Sequence, residues 1–342
     1  MKNTFGNAVS ITLFGESHGP CVGCVIDGLA PGIPVNDAYI AELLTRRRPA
    51  GAISTARQEA DQFIIESGVF HGKTTGTPIC IRIPNEDTRS GDYNRLARPG
   101  HADYTAHCKY RGYEDYRGGG HFSGRITAAL VAAAGIVIPA LEKKGITIQT
   151  NIHRLAGIPG EGSACVSAEM EEKILSAKAN GDSVGGVLET VVTGMPVGVG
   201  EPWFDSVESV LSHALFSIPA VKGVEFGDGF ALTEMLGSEA NDALVATENG
   251  IITETNHNGG INGGITNGMP LLFRCAIKPT PTIGKAQKTV NLESGSNDVL
   301  QAKGRHDPCI VHRAAVVVEA MTAITLCDLL TTHLGTDWLG EA

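Results

Sequence analysis

The chain has 342 residues and a mass of 35.8 kDa, with 42% hydrophobic and 19% charged residues. That composition excludes a disordered chain, and 43 glycines without a three-residue period exclude collagen. A net charge of −10 argues against nucleic acid as a partner, but residues 46–125 hold 13 Lys/Arg and 9 Asp/Glu, a local +4 that suits a small anionic ligand.

The length allows two domains or one large one, and no linker marks a boundary, so a single domain over residues 1–342 is expected. The start, Met1-Lys2-Asn3-Thr4, lacks the apolar stretch of a signal peptide. No uncharged apolar run reaches the ~18–20 residues of a membrane span. A cytoplasmic protein with no membrane partner is expected. The eight cysteines are scattered. Only Cys21 and Cys24 form a C-x-x-C, and a zinc ribbon needs a second pair, so core thiols and no metal are expected.

In chain order, Ser10–Phe14 reads as a strand that breaks into Gly15-Glu16-Ser17-His18-Gly19, and Val22–Asp27 as a second strand. Asn36 caps a helix carrying Ile40, Leu43 and Leu44 and closed by Pro49. Gln62–Phe70 and Thr77–Ile83 read as strands around His71-Gly72-Lys73-Thr74-Thr75-Gly76. Residues 85–121 have no long apolar run and are dense in Arg, Tyr, Asp, His and Gly, which marks a functional segment. Ser123 caps a long apolar helix toward Lys144, with a kink expected at Pro139. Strands are predicted over Ile146–Ile152, Val184–Thr193 and Met269–Ile277. A helix is predicted over Ser167–Ala179. Asp205 to Glu208 reads as a capping box for a helix to Phe216. A long apolar helix covers Ile310–Leu334 and ends at Gly335. The mixture lacks a steady βαβ rhythm, so the fold class is α+β.

Several segments carry chemistry. His18 stands between glycines and can serve as a general acid or base, or be a plain loop histidine. Arg46-Arg47-Arg48 ends a helix, where arginines complement the negative dipole end; their forks also suit carboxylate or phosphate. Arg98-Pro99-Gly100-His101-Ala102-Asp103-Tyr104 gathers Arg, His, Asp and Tyr. Tyr116-Arg117-Gly118-Gly119-Gly120-His121-Phe122-Ser123-Gly124-Arg125 opens into a helix. It can cradle an anion or simply turn the chain, and it matches neither a dinucleotide fingerprint nor a P-loop. Lys278-Pro279-Thr280-Pro281-Thr282 offers a cation and two hydroxyls on a stiff loop. In Gly304-Arg305-His306-Asp307-Pro308-Cys309, Asp307 can cap the following helix with Pro308 at its first position, or serve a bound ligand.

These segments, together with Ser67–Ile79, Arg89–Tyr93, Lys222–Phe230 and Asn256–Ile265, occur in the order of the chorismate synthases, which the chain resembles from about Phe5 to Asp328. The resemblance implies a β-α-β sandwich and a homotetramer. It implies a lyase that converts 5-enolpyruvylshikimate 3-phosphate to chorismate by anti-1,4-elimination of phosphate, in the shikimate pathway toward the aromatic amino acids. It also implies a need for reduced FMN without net redox change, with NADPH a candidate source of the reducing equivalents. By resemblance His18 protonates the departing phosphate, His101 protonates the reduced flavin, and Asp307 acts with the flavin in removing the C6 proton. Ser17 and Ser123 match active-site serines. His121, Phe122, Ser123, Pro219, Ala220, Gly263, Lys278, Pro279, Thr280, Pro281, Thr282 and Arg305 line the flavin site. Arg47, Arg48, Arg117 and Arg125 supply counter-charge to the substrate. A flavin oxidoreductase and a noncatalytic phospholigand-binding protein are the competing readings.

Many members read R-S-S-A-R-E-T where this chain has His121 to Thr127. The glutamate of that run is Ile126 here, which is expected to be packed. Its arginine is His121, which titrates near neutrality where arginine does not. His121 either holds a proton beside the flavin or only fills space there. If it titrates, the FMN Kd measured from pH 6 to 9 rises with pH, and His121→Arg flattens the rise. Parallel curves exclude a titrating role.

Overall fold

The computed structural model describes residues 2–55, 59–86, 95–248, 250–302 and 307–340. β1 (Thr4–Phe5) and β2 (Ser10–Gly15) pair with Thr4 opposite Thr12, and β3 (Cys21–Asp27) returns beside β2 with Leu13 opposite Cys24. The Asn36 side chain accepts from the Ala38 and Tyr39 N–H groups at 3.0 and 3.2 Å, and so starts α1 (Asp37–Arg47). A cap of this kind is worth about 1 kcal/mol. Next come β4 (Ile64–Ile65), the hairpin of β5 (Val69–Phe70) and β6 (Lys73–Thr74), and β7 (Ile79–Pro84). Ile79, Ile81 and Ile83 on β7 are buried while the residues between them are half-buried, the period-two pattern of a strand with one face on the core. These strands form an antiparallel sheet of order β1-β2-β3-β7-β4.

After α2 (Asp103–Tyr110), Ser123 caps a 3-10 turn over Gly124–Ile126 that runs into α3 (Thr127–Lys143). Then follow β8 (Thr147–Leu155), β9 (Ile158–Pro159), α4 (Ala168–Ala179), β10 (Gly186–Thr193), α5 (Val207–Ser217) and β11 (Val221–Phe226). The short α6 (Gly237–Ala240) precedes two hairpins, β12 (Leu244–Thr247) with β13 (Gly250–Thr253) and β14 (Ile261–Asn262) with β15 (Ile265–Thr266). The chain ends with β16 (Leu271–Ile277), the hairpin of β17 (Gln287–Val290) and β18 (Asn297–Leu300), and α7 (Val311–Leu334). The second antiparallel sheet has the order β11-β16-β10-β8-β9.

α3 and α7 lie between the sheets. α3 packs on α1, β3 and β7, α7 packs on β8, β10 and α5, and the two helices pack on each other. Their composition dictates this placement, because a helix that is apolar on every side has no face to give to water. Every residue of α3 from Ala128 to Ile138 is buried. Gly135 lets α1 come close: a Cβ there would lie 2.7 Å from Ile40 Cγ1. Both helices are long and apolar enough to cross a bilayer, yet 83% and 89% of their apolar windows are buried inside the protein. Residues of both sheets and of the helices share one hydrophobic cluster, so the α+β class and the sandwich are as expected.

Several local expectations are corrected. The strand expected over Gln62–Phe70 is interrupted: only Ile64–Ile65 pairs with β7, and Val69–Phe70 belongs to a separate hairpin. α2 lies inside the segment read as irregular, and only Ala106 on it is buried. α3 runs through Pro139 to Lys143, the extent expected. The cap of α5 is Ser206, whose side chain accepts from the Ser209 N–H, rather than Asp205. α7 starts at Val311, so Asp307 is not its cap. Of the C-x-x-C pair, Cys24 is buried with its Sγ bonded to Ala129 O at 3.3 Å, and Cys21 is half-buried. Ile126 is buried, as expected.

His312, in the first turn of α7, has Nε2 3.2 Å from Ser54 Oγ, and its Nδ1 is buried with no hydrogen-bond partner among the described residues. Burial, and then the charge of Arg313, push the imidazole down to about 4. The folded protein therefore holds His312 neutral while the unfolded chain protonates near 6.5. Stability from this group is complete above about pH 6.5 and is lost as the pH falls toward 4, on the order of 3 kcal/mol in total. The urea midpoint of unfolding is expected to fall less between pH 7 and 4.5 in His312→Gln than in the natural chain; equal falls contradict this.

Candidate active site

The glycine triplet is the hinge of the site. Gly118, Gly119 and Gly120 have φ of 60, 82 and 52°, the left-handed region that favours glycine. Side chains press on them from both directions. A Cβ at Gly118 would lie 2.5 Å from His18 Cδ2 and 3.0 Å from Ser17 Oγ, and one at Gly119 would lie 3.0 Å from His101 Cε1 and 3.4 Å from Arg98 Nη2. A Cβ at Gly120 would meet the Asp115 carbonyl at 2.0 Å. Three residues without side chains thus let the loop after β2 and the loop before α2 face one another across a single backbone.

Each histidine is oriented. His101 Nδ1 is 2.6 Å from Asp103 Oδ1, and a carboxylate accepts, so Nδ1 carries the proton and Nε2 faces the glycines. Asp103 also takes Arg98 Nε at 2.8 Å and Nη2 at 2.7 Å, together with the Arg98 N–H at 2.9 Å. Burial raises the Asp103 carboxyl pKa, but the bonds from Arg98 and His101 outweigh it and hold the group well below the usual carboxylate range. This is the arrangement in which a carboxylate fixes an imidazole and stabilises its protonated form. On the other side, Ser17 is fully buried, its N–H donates to Gly120 O at 3.0 Å, and His121 Nδ1 donates to Gly15 O at 2.8 Å.

The Lys278–Thr282 loop closes one edge. Lys278 Nζ donates to Gly100 O at 2.5 Å, Arg98 Nη1 is 3.5 Å from Thr282 Oγ1, and a Cβ on Gly100 would touch Pro281. The Lys278 N–H donates to Ala220 O at 3.0 Å, which brings Ala220, at φ 76°, and the adjoining Pro219 to the base of the loop.

The arginines behave differently from four open forks. Arg47 Nη2 meets Asp61 Oδ2 at 2.7 Å and Arg125 Nη1 meets Asp61 Oδ1; all three side chains are buried. Burial alone would raise the Asp61 carboxyl pKa, but the two guanidiniums lower it. Arg117 forms a two-pronged pair with Asp115, both bonds at 2.8 Å, and is half-exposed. Arg48 donates to Ala60 O at 3.0 Å and Thr45 Oγ1 at 2.7 Å and is half-buried. Asp307 is paired with Arg313, which also donates to Arg47 O at 3.4 Å. The Ser123 hydroxyl accepts from the Arg125 N–H at 3.3 Å as a cap.

A family model described as chorismate synthase matches residues 9–331. The chorismate synthase of Chitinophaga pinensis is 48% identical over 331 residues, covering 96% of each chain, and that of Thermococcus gammatolerans is 47% identical, covering 95% of this chain and 96% of its own. A crystal structure of chorismate synthase superposes with a TM-score of 0.74 at 28% identity, over 98% of this chain and 95% of that one. The chain belongs to the chorismate synthase family.

Of the residues that the family resemblance singles out, the structure gathers Ser17, His18, His101, Arg117, His121, Pro219, Ala220 and the Lys278–Thr282 loop around the glycine triplet. Gly263 sits in the β14–β15 turn, whose neighbours are Pro196 and Val199 rather than that loop. Arg305 and the Arg89–Tyr93 motif lie outside the described residues. The residues that gather fit a flavin. Thr280 Oγ1 is buried with no hydrogen-bond partner among the described residues, while Ser183 Oγ fixes the Thr280 carbonyl at 2.7 Å. Phe122 is exposed at the end of the glycine-triplet segment, with Tyr110 at 6.0 Å between ring centres. Asp103 and Arg98 stand in a segment that the sequence marked as chemically dense but without a role for either, and Asp61 and Asn85 were passed over. The His-x-Asp spacing of His101 and Asp103 was the available signal for the first; Asp61 and Asn85 gave none.

Gly118→Ala places a methyl group against the His18 ring on a left-handed backbone, a conformation that costs about 1–2 kcal/mol. Turnover is expected to fall at least roughly 10²-fold, while the thermal midpoint drops by only a few degrees. Phosphate-release assays and thermal melts measure the two; natural turnover in the variant contradicts the role of the triplet.

Proposed function

We propose that the cleft beside Gly118–Gly120 is where 5-enolpyruvylshikimate 3-phosphate loses phosphate to become chorismate, with His18, His101 and Asp307 as the groups that handle protons. The observation that carries this reading is the placement of His18 and His101 on the two sides of one glycine segment in a member of a lyase family. The elimination breaks the C3–oxygen bond to phosphate and the C6–hydrogen bond and forms a carbon–carbon double bond. His18, on the sharp Glu16–Gly19 turn, gives a proton to the departing phosphate, which leaves as a weaker nucleophile. His101, held through Nδ1 by Asp103, would present Nε2 to a bound flavin. Asp307, paired with Arg313, serves as the acceptor on the C6 side. Arg48 and Arg117 have exposed surface to meet carboxylate or phosphate. Arg47 and Arg125 act through Asp61: one carboxylate between two guanidiniums leaves a net positive charge behind the cleft.

FMN in its reduced form, when bound, supplies electron density to a reaction without net redox change. Thr280, Thr282, Lys278, His121 and Phe122 would hold it, and NADPH is the candidate source of reducing equivalents. The same reading makes the protein a cytoplasmic homotetramer without nucleic-acid or membrane partners. Trp203 and Phe204, 84% and 89% exposed, support a subunit contact.

Anaerobic phosphate release from the enolpyruvyl substrate is expected with reduced FMN and not with oxidised FMN. His18→Ala and His101→Ala should each lower it by roughly 10²–10⁴-fold. Net consumption of reduced cofactor would favour an oxidoreductase, and substrate binding without phosphate release a binding protein.

A further inference from the structure

Asn85, the residue that follows β7, commits its side chain and its backbone N–H to one loop and one arginine. Its Nδ2 donates to Glu16 O at 2.9 Å and to Gly19 O at 2.8 Å, and its backbone N–H donates to Pro20 O at 3.1 Å. Its Oδ1 accepts from Arg125 Nε at 2.9 Å. Because a guanidinium can only donate, Arg125 fixes which way the amide points, and the NH₂ group is committed to the loop. Arg125 is itself immobile: it is bonded to Asp61 and to Pro84 O at 3.1 Å, and its side chain is 3% exposed. The carbonyls that Asn85 holds are the two ends of the turn carrying Ser17 and His18, closed by Gly19 N–H to Glu16 O at 3.1 Å.

We propose that Asn85 is a positioning residue for His18, and that the relay Asp61–Arg125–Asn85 sets the Glu16–Gly19 turn so that the imidazole meets the glycine triplet. The inference rests on the assignment of His18 as the proton donor. Without the amide, the turn keeps its attachments to Gly120 and His121 on one side and loses those on the other. The ring then samples orientations that no longer face the reacting oxygen. Asn85→Asp keeps the shape and the bond to Arg125 but turns an oxygen toward two carbonyl oxygens.

The test is a double-mutant cycle on the enzyme loaded with reduced FMN, using Asn85→Ala, Asn85→Asp, His18→Ala and the Asn85→Ala/His18→Ala pair. Asn85→Ala and Asn85→Asp are expected to lower kcat by roughly 10–100-fold, with KM and the FMN Kd within about threefold of the natural chain. In the His18→Ala background, Asn85→Ala is expected to have no further effect, because its action passes through His18. A shift in Asn85→Asp of the pH-profile limb that His18→Ala abolishes is also expected. Additive losses, natural kcat in both single variants, or loss of near-ultraviolet circular dichroism in both would overturn the inference. Natural turnover in His18→Ala would instead remove the assignment of His18 and leave a positioning role without an object.

Discussion

The site is organised by one buried carboxylate. Asp61 has no exposed side-chain surface, and it is held between Arg47 at the end of α1 and Arg125 at the entrance to α3. An isolated carboxylate in such a place would be untenable, and removing one partner from a buried pair costs about 3–5 kcal/mol. The pairing therefore ties together three stretches of chain that are far apart in sequence. Asp61 itself adopts φ 53°, a left-handed conformation that aims its oxygens at both guanidiniums. The strand pairing with β7 starts three residues later, at Ile64.

The glycine triplet complements this rigid frame. Where Asp61 fixes distances by charge, Gly118–Gly120 fixes them by absence, since any side chain there would collide with His18, His101 or the Asp115 carbonyl. The frame and the gap meet at the loop after β2, which is bonded to Asn85 on one side and to Gly120 and His121 on the other. Arg313 extends the same fabric to Asp307 through the Arg47 carbonyl. The three groups assigned to proton handling thus stand on connected, largely buried supports.

Much of this was legible in the sequence where the signal is local. Asn36 and Ser167 cap α1 and α4 as their chemistry requires, Gly335 ends α7, and the apolar runs of α3 and α7 mark the central layer. The motifs around His18, His101 and the triplet were visible because glycines and histidines stand out in short irregular stretches. What stayed hidden depends on partners distant in the chain. Asp61 lies 64 residues from Arg125 and Asn85 lies 40, so neither role is written in its neighbourhood. α2 lacks an apolar stripe and buries only Ala106, so periodicity could not reveal it. Asp307 looked like a helix cap because Pro308 follows it. The partner that captures its carboxylate, Arg313, comes two residues after the helix begins.

Asp328, near the end of α7, is buried and accepts the N–H groups of Asn7, Ala8 and Val9 at 2.7–3.1 Å. The turn that opens the first sheet is thus completed by a residue made about 320 positions later. A ribosome makes this chain from its N-terminus onward, so the three amides of the β1–β2 connection stay bound to water until Asp328 has been made. Contacts of such long sequence separation slow folding and lengthen the exposure of unpaired strand edges. The consequence is a turn whose three amides find their permanent acceptor only after α7 has been made.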